Sequence, residues 1–194
     1  MFNLEKICLP NDNYLGFPQL DPVFDCGITD FVRFTDKDNR CHFNKGIHFF
    51  EDDYKFESVW KYPDRYIDIF LGYGCIIMPD FSLYSDIPVV LQMYNKYRNH
   101  VLAKYYSLHG IKVIPNVSLS SEDCFPWSLL GYPTDSVLAF SACGCKNTED
   151  ERNILFAQYT AMETILKPKY VLWFDYTAPC PPYPENVIFC PLRR

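Results

Sequence analysis

The sequence predicts an α/β fold, a single domain with a mostly parallel sheet flanked by helices, and three observations carry that expectation. Short apolar runs at 75–78, 111–114, 137–140 and 171–174 show no polar alternation, as strands buried on both faces do. Long stretches with helical apolar spacing separate them. The resulting order, β-β-α-β-α-β-β-α-β, is the alternation that builds parallel sheets. The chain has 194 residues, enough to bury roughly 70% of its unfolded surface as one domain. That is short of the ~250 residues typical of an eight-stranded barrel. A partial TIM-like barrel and an open Rossmann-like sheet both fit.

Taken in order, residues 1–30 carry Pro10, Pro18 and Pro22 among Asn and Asp residues, which reads as an extended arm with turns. Residues 31–34 read as a short strand, and 46–50 as a second, with Glu51, Asp52 and Asp53 leaving its end. Two helical segments follow, at 56–62 and 63–71, the second opened by Pro63 and ended by Gly72 and Gly74.

The central unit is 75–118. Its first strand stops at Pro79, which cannot donate to a sheet ladder. Asp80, Ser82, Tyr84 and Asp86 follow. A helix over 87–109 is expected to start from Asp86 as N-cap and to pack through Val90, Met93, Tyr94, Tyr97 and Val101, with Gly110 as its stop. Gln92, Asn95, Arg98 and Asn99 form a polar face, either solvated or suited to a phosphate, a base or a protein. His109 reads as a partner of the helix C-terminus, and His48 as a packed strand residue. Asn116 and Ser118 come off the next strand. A right-handed βαβ crossover puts both polar turns at the same sheet edge, where open α/β folds bind ligands.

Residues 119–135 read as an irregular loop in which Phe125, Trp127, Leu129 and Leu130 pack down over the sheet or form a lid. A strand at 136–141 leads to Cys143-Gly144-Cys145. The helix at about 150–166 has acids at its start and Ile154, Leu155, Tyr159, Met162 and Ile165 on one face. A strand at 170–174 ends at Asp175. The tail, 176–194, is proline-rich and extended, with 187–190 as an edge strand.

Several of these strings resemble domain-of-unknown-function family 4417. They are His48-Phe49-Phe50-Glu51-Asp52-Asp53-Tyr54-Lys55-Phe56, Pro79-Asp80-Phe81-Ser82-Leu83-Tyr84, Asn95-Lys96-Tyr97-Arg98 and Gly110 through Asn116. Cys143-Gly144-Cys145 is similar to the family's glycine-cysteine turn, so the likeness covers 46–145, with a weaker echo to Asp175. Leu119, His100 and Phe174-Asp175-Tyr176 depart from the family's pattern. The resemblance implies a protein of phages and other bacterial mobile elements, working in the cytoplasm of a bacterial host, and names no reaction.

Composition narrows the function classes. Aromatics make up 18% of the residues and the net charge is −6, which argues against passive attraction to a nucleic-acid backbone or an anionic membrane. No apolar stretch approaches the ~20 residues of a membrane span, and the first ten residues lack the pattern of a signal peptide. Nine cysteines without a Cys-x-x-Cys spacing point to reduced thiols in a cytosolic protein. No phosphate loop, dinucleotide fingerprint, nucleophile elbow or His-Glu-x-x-His is present.

Two readings follow. In the first, the chain is a metal-assisted hydrolase or transferase acting on a nucleotide, nucleic acid or similar phosphorylated substrate. Asp80, Asp175 and Asp52 are then the catalytic candidates, with Asp80 and Asp175 as ligands of Mg²⁺. Ser82, Tyr84, Asn116, Ser118, Asn95 and Arg98 are the substrate-binding candidates. In the second, it is an inert protein that binds and blocks a host factor such as a defence component, and its acidity and aromatic richness matter more than a pocket.

Overall fold

Among the described residues of a computed structural model, seven parallel strands lie side by side in the order in which they occur and form the body of the protein. The structure describes residues 13–143, 148–177 and 184–192. The strands are β1 (Phe31–Arg33), β2 (His42–His48), β3 (Tyr73–Ile77), β4 (Val113–Ile114), β5 (Val137–Ser141), β6 (Tyr170–Asp175) and β7 (Val187–Pro191). Ladders join β1 to β4 and β5 to β7, and a parallel bridge between Asn116 and Ala139 links the two groups. The helices are α1 (Glu57–Lys61), α2 (Ile67–Leu71), α3 (Val89–Leu108), α4 (Phe125–Ser128) and α5 (Glu149–Leu166).

The period-2 alternation of a strand sorts the apolar residues into two cores. Phe31, Cys75, Ile77, Ile114, Val137, Ala139, Leu172, Phe174 and Cys190 face one side and cluster together. Ile47, Ile76, Met78, Val113, Leu138, Phe140 and Val171 face the other side, toward the helices. The first cluster takes residues from β1 at one end of the order and β7 at the other, so the sheet curls around it. Phe31 of β1 meets Phe174 of β6 edge-on, with ring centroids 4.9 Å apart. Gly46 of β2 makes room for this contact, because a Cβ there would stand 2.3 Å from the Phe31 ring and 2.9 Å from the Cys75 sulfur. Among the described residues no ladder joins β1 to β7. Of the two arrangements the sequence left open, the structure is a barrel-like curl with an unsealed seam.

The arm closes the end where the strands begin. Val23 O accepts from Val137 N and Val23 N donates to Ser136 Oγ, while Cys26 and Ile28 enter the inner core. Further along, Leu20 N donates to Gly131 O. Gly131 adopts φ +77°, and any side chain there would meet Pro18 O and the His100 ring. The expected arm residues 1–12, the Gly144-Cys145 turn and the tail at 178–183 lie outside the described residues. Among the described residues, Cys26, Cys41, Cys75, Cys124 and Cys190 are free thiols. No helix among the described residues is long and apolar enough to cross a membrane.

Two features of α3 differ from expectation. Asp86 is not its cap: the N-cap is Pro88, and no side chain caps the helix. Its buried face is also polar at the start. Val89, Val90 and Leu91 are exposed, whereas Gln92, Lys96, Arg98, Asn99 and His100 are buried before the apolar run Val101-Leu102-Ala103. Gln92 and Asn99 bond backbone groups of the loop after β3, Arg98 bonds Glu57 and Asn95, and Lys96 and His100 bond each other and reach Pro18 O of the arm. On α5, Leu155, Gln158, Met162 and Leu166 are buried, while Ile154 and Ile165 of the expected face are exposed. Thr148 and Glu151 form a reciprocal capping box at its start. The expected loop cluster contains α4, and its Trp127 packs with Phe17, Leu83 and Cys124.

Candidate functional site

A cleft of about 500 Å³ opens at the carboxyl ends of the strands. Its lining comes from several strand exits: Glu51 and Asp52 after β2, Asp80 and Ser82 after β3, Asn116 and Ser118 after β4, Ser141 and Cys143 at the end of β5, and Tyr176 after β6. Tyr84 also lines it, and Arg33, Lys55 and Gln158 complete its polar surface. Phe50, Leu83, Val117, Leu119 and Phe140 supply apolar walls.

The loop after β3 is held from behind, which turns Asp80 toward the cleft. Phe81 is fully buried, and Asn99 of α3 clasps its backbone, accepting from Phe81 N at 2.8 Å and donating to Phe81 O at 3.0 Å. Asn95 donates to Ser82 O at 2.7 Å. Asp53 accepts from both the backbone N–H and the hydroxyl of Ser82. The Arg98 guanidinium lies 3.6 Å from the centre of the Phe81 ring and bonds Glu57 and Asn95. Asn95 and Arg98 therefore stand behind the loop and do not line the cleft. A row of amides one turn apart on a helix that follows a proline-rich loop is the signal that points to this clasp.

Asp80 is half-buried on the cleft floor and accepts from Asn116 Nδ2 at 2.9 Å. Burial pushes its carboxyl up to about 7, and the neighbouring Asp53 charge adds to the rise. The Ser118 hydroxyl and the Asn116 amide pull partway back. Among the described residues no cation pairs with it. At the mouth, Arg33 pairs with Asp36 at 2.7 Å and Lys55 with Asp52 at 3.0 Å. Glu51 accepts from the Thr35 backbone and hydroxyl.

Asp175 is buried, and its carboxylate accepts from Tyr176 N at 2.7 Å. It is not part of the cleft lining, so the structure does not bring the pair Asp80 and Asp175 together there. Among the described residues no three His, Cys, Asp or Glu side chains gather closely enough to hold a metal ion.

Behind the floor lies a polar chain that sequence reasoning did not pick out. Tyr132 donates to Asn116 O at 2.6 Å. Lys96 Nζ sits 4.2 Å from the centre of the Tyr132 ring and 2.7 Å from His100 Nε2. His100 Nδ1 lies 3.0 Å from Pro18 O. A carbonyl only accepts, so Nδ1 carries the proton and Nε2 accepts from Lys96. Burial lowers both groups well below their ordinary values, and the neighbouring Lys96 charge adds to the fall at His100. His48 is likewise packed between aromatic rings and pushed down to about 4 by burial and the nearby Arg33.

Fold and site together define a class: a barrel-like parallel α/β protein with a polar cleft at its strand exits. The chain belongs to the family described as "Domain of unknown function (DUF4417)", which matches residues 9–188. It is 32% identical over 136 residues to a "Gene 1 protein" of Mycobacterium phage L5, covering 69% of this chain and 58% of that protein. It is 29% identical over 134 residues to a "Gene 1 protein" of Mycobacterium phage D29, covering 69% of this chain and 50% of that one. The chain thus spans about half the length of these curated relatives. No solved structure matches it.

Proposed function

We propose that the cleft is the catalytic site of an enzyme acting on a small phosphorylated or nucleotide-like substrate, with Asp80 as its general acid–base group. The observation that carries this reading is the placement of Asp80. An elevated carboxyl sits, without a cationic partner among the described residues, on the floor of a cleft that several strand exits build. A group titrating near neutral pH both accepts and returns a proton readily. Ser118 and Asn116 hold its orientation, and Ser82, Tyr84 and Asp52 lie in the same lining. Arg33 and Lys55 at the mouth supply positive charge for a phosphate, with their carboxylate partners exchanged for the ligand.

Calorimetric titration tests the reading with nucleoside 5′-monophosphates and the matching nucleosides, with and without Mg²⁺. The expected result is tighter binding of a monophosphate than of its nucleoside, lost in Arg33→Ala/Lys55→Ala. Equal affinity for the two forms, or no binding at millimolar concentration, overturns it.

The host-factor reading has one supporting feature. Tyr84, Val89, Val90 and Leu91 are exposed along the loop and first turn leading into α3, an apolar run open to a protein partner. Pull-down with wild-type protein and with Val90→Asp separates this reading. A host protein retained only by the wild type supports it, and identical retention contradicts it.

A further inference from the structure

We propose that Asn116 is the recognition residue of the cleft, its side-chain oxygen accepting an N–H donor from the edge of a flat heterocyclic base while Asp80 bonds the neighbouring position of the same edge. The proposal deepens the nucleotide reading and rests on it for the cleft as the ligand site, not for the phosphate.

Asn116 is 1% exposed and lines the cleft, yet its Oδ1 has no hydrogen-bond partner among the described residues. A buried acceptor left without a donor costs about 1–3 kcal/mol. Nothing in its surroundings lets it turn away. The backbone on either side is locked to β5, through Ala139 N to Pro115 O and Val117 N to Ala139 O. Its own carbonyl is held by Tyr132, and its Nδ2 by Asp80. While Asp80 is ionised, rotating the amide by 180° would set its oxygen against the carboxylate. The acceptor is therefore fixed in place before a ligand arrives, which keeps the cost of ordering low.

The second position of the edge belongs to Asp80. Its Oδ1 is engaged by Asn116 and the Ser118 hydroxyl also bonds the carboxyl, but two carboxylate oxygens offer about four acceptor sites, so room is left for the ligand. A carboxyl near its midpoint at neutral pH offers either an acceptor or an O–H donor. Asn116 and Asp80 together then match an edge with a donor beside an acceptor, or a donor beside a donor, which are the edges that nucleobases present. The walls suit the faces of such a ring: Phe50, Phe140, Leu83 and Leu119 are apolar and flank a polar floor. A sugar diol also offers two donors, but it lacks a flat apolar face.

The test uses phosphate-free probes, so that it stands apart from the phosphate reading. Adenine, cytosine, uracil and D-ribose are titrated separately into ¹⁵N-labelled protein, and the side-chain amide signal of Asn116 is followed. The expected result is a saturable shift of that signal with at least one free base and none with ribose. Asn116→Leu should weaken the same base at least tenfold while the melting temperature stays level or rises, since the substitution removes an unpaired buried acceptor. A response to ribose alone, no response to any base at tens of millimolar, or unchanged base affinity in Asn116→Leu overturns the proposal. If a base binds but its monophosphate binds no more tightly, the base-edge assignment stands and the phosphate reading falls.

Discussion

Asp80 shows how one residue type takes its role from position. The ordinary carboxylate value lies near 3.9, whereas in the folded protein burial and Asp53 raise it to about 7. The folded state therefore binds a proton that the unfolded chain has already released. The stabilisation this proton gives is fully present below about pH 4 and is lost as pH rises through about 7. Asp80→Asn removes the charge and keeps one acceptor for Asn116. The variant should be more stable than the wild type by about 2 kcal/mol at pH 8, with the difference closing near pH 4. Urea unfolding at the two pH values measures it. A loss of stability at pH 8 would show that the carboxylate is a structural cap of the loop. The sequence already marks Asp80 as a residue leaving a buried strand. Its neighbour Asp53 bonds Ser82, which lies 29 positions away, and no local pattern reveals that pairing.

Helix α3 works as a clamp. Its first turns direct amides inward, because the loop after β3 points the backbone groups of Phe81 and Ser82 toward it. Asn99→Ala leaves both polar groups of Phe81 buried without partners, and should cost about 3 kcal/mol while also loosening Asp80. Thermal unfolding gives the first effect. A cost below about 1 kcal/mol would mean that water replaces the clasp. This element also marks where sequence reading reaches its end. The strands at 75–78 and 137–140 are legible because unbroken apolar runs between turn residues have few other uses. The face of α3 is not, because apolar spacing alone gives Val89 and Val90 to the core. The polar demand of the loop just before the helix decides otherwise, and only the folded backbone shows it. Pro88 displaces Asp86 as cap for a similar reason: the chain enters the helix from an extended residue whose side chain has no acceptor.

The whole molecule depends on how tightly the sheet curls. Sequence order and alternation make the parallel sheet legible, but the choice between an open sheet and a barrel-like curl rests on contacts across the interior. Phe31, Gly46 and Phe174 set that contact, and the arm residues Cys26 and Ile28 fill the end beneath them. The arm has no periodicity, so its role as a plug leaves no mark in the sequence. Gly46→Ala drives a methyl into the Phe31 ring and the Cys75 sulfur. Overpacking of this kind should cost about 3 kcal/mol, measured by denaturant unfolding. A Gly46→Ala protein as stable as the wild type would show that β1 is not packed across the interior.

The curl gathers residues from Arg33 to Tyr176 into one cleft, and the central claim is that Asp80 works there as an acid–base group near neutral pH. The most direct measurement is the ionisation of Asp80 itself, followed through its side-chain carboxyl ¹³C shift across pH 3 to 9 in the intact protein and assigned with Asp80→Asn. The account predicts a midpoint at about 7. A midpoint at the ordinary carboxylate value or below would mean that Asp80 is a hydrated or ion-paired surface acid, and would contradict the account.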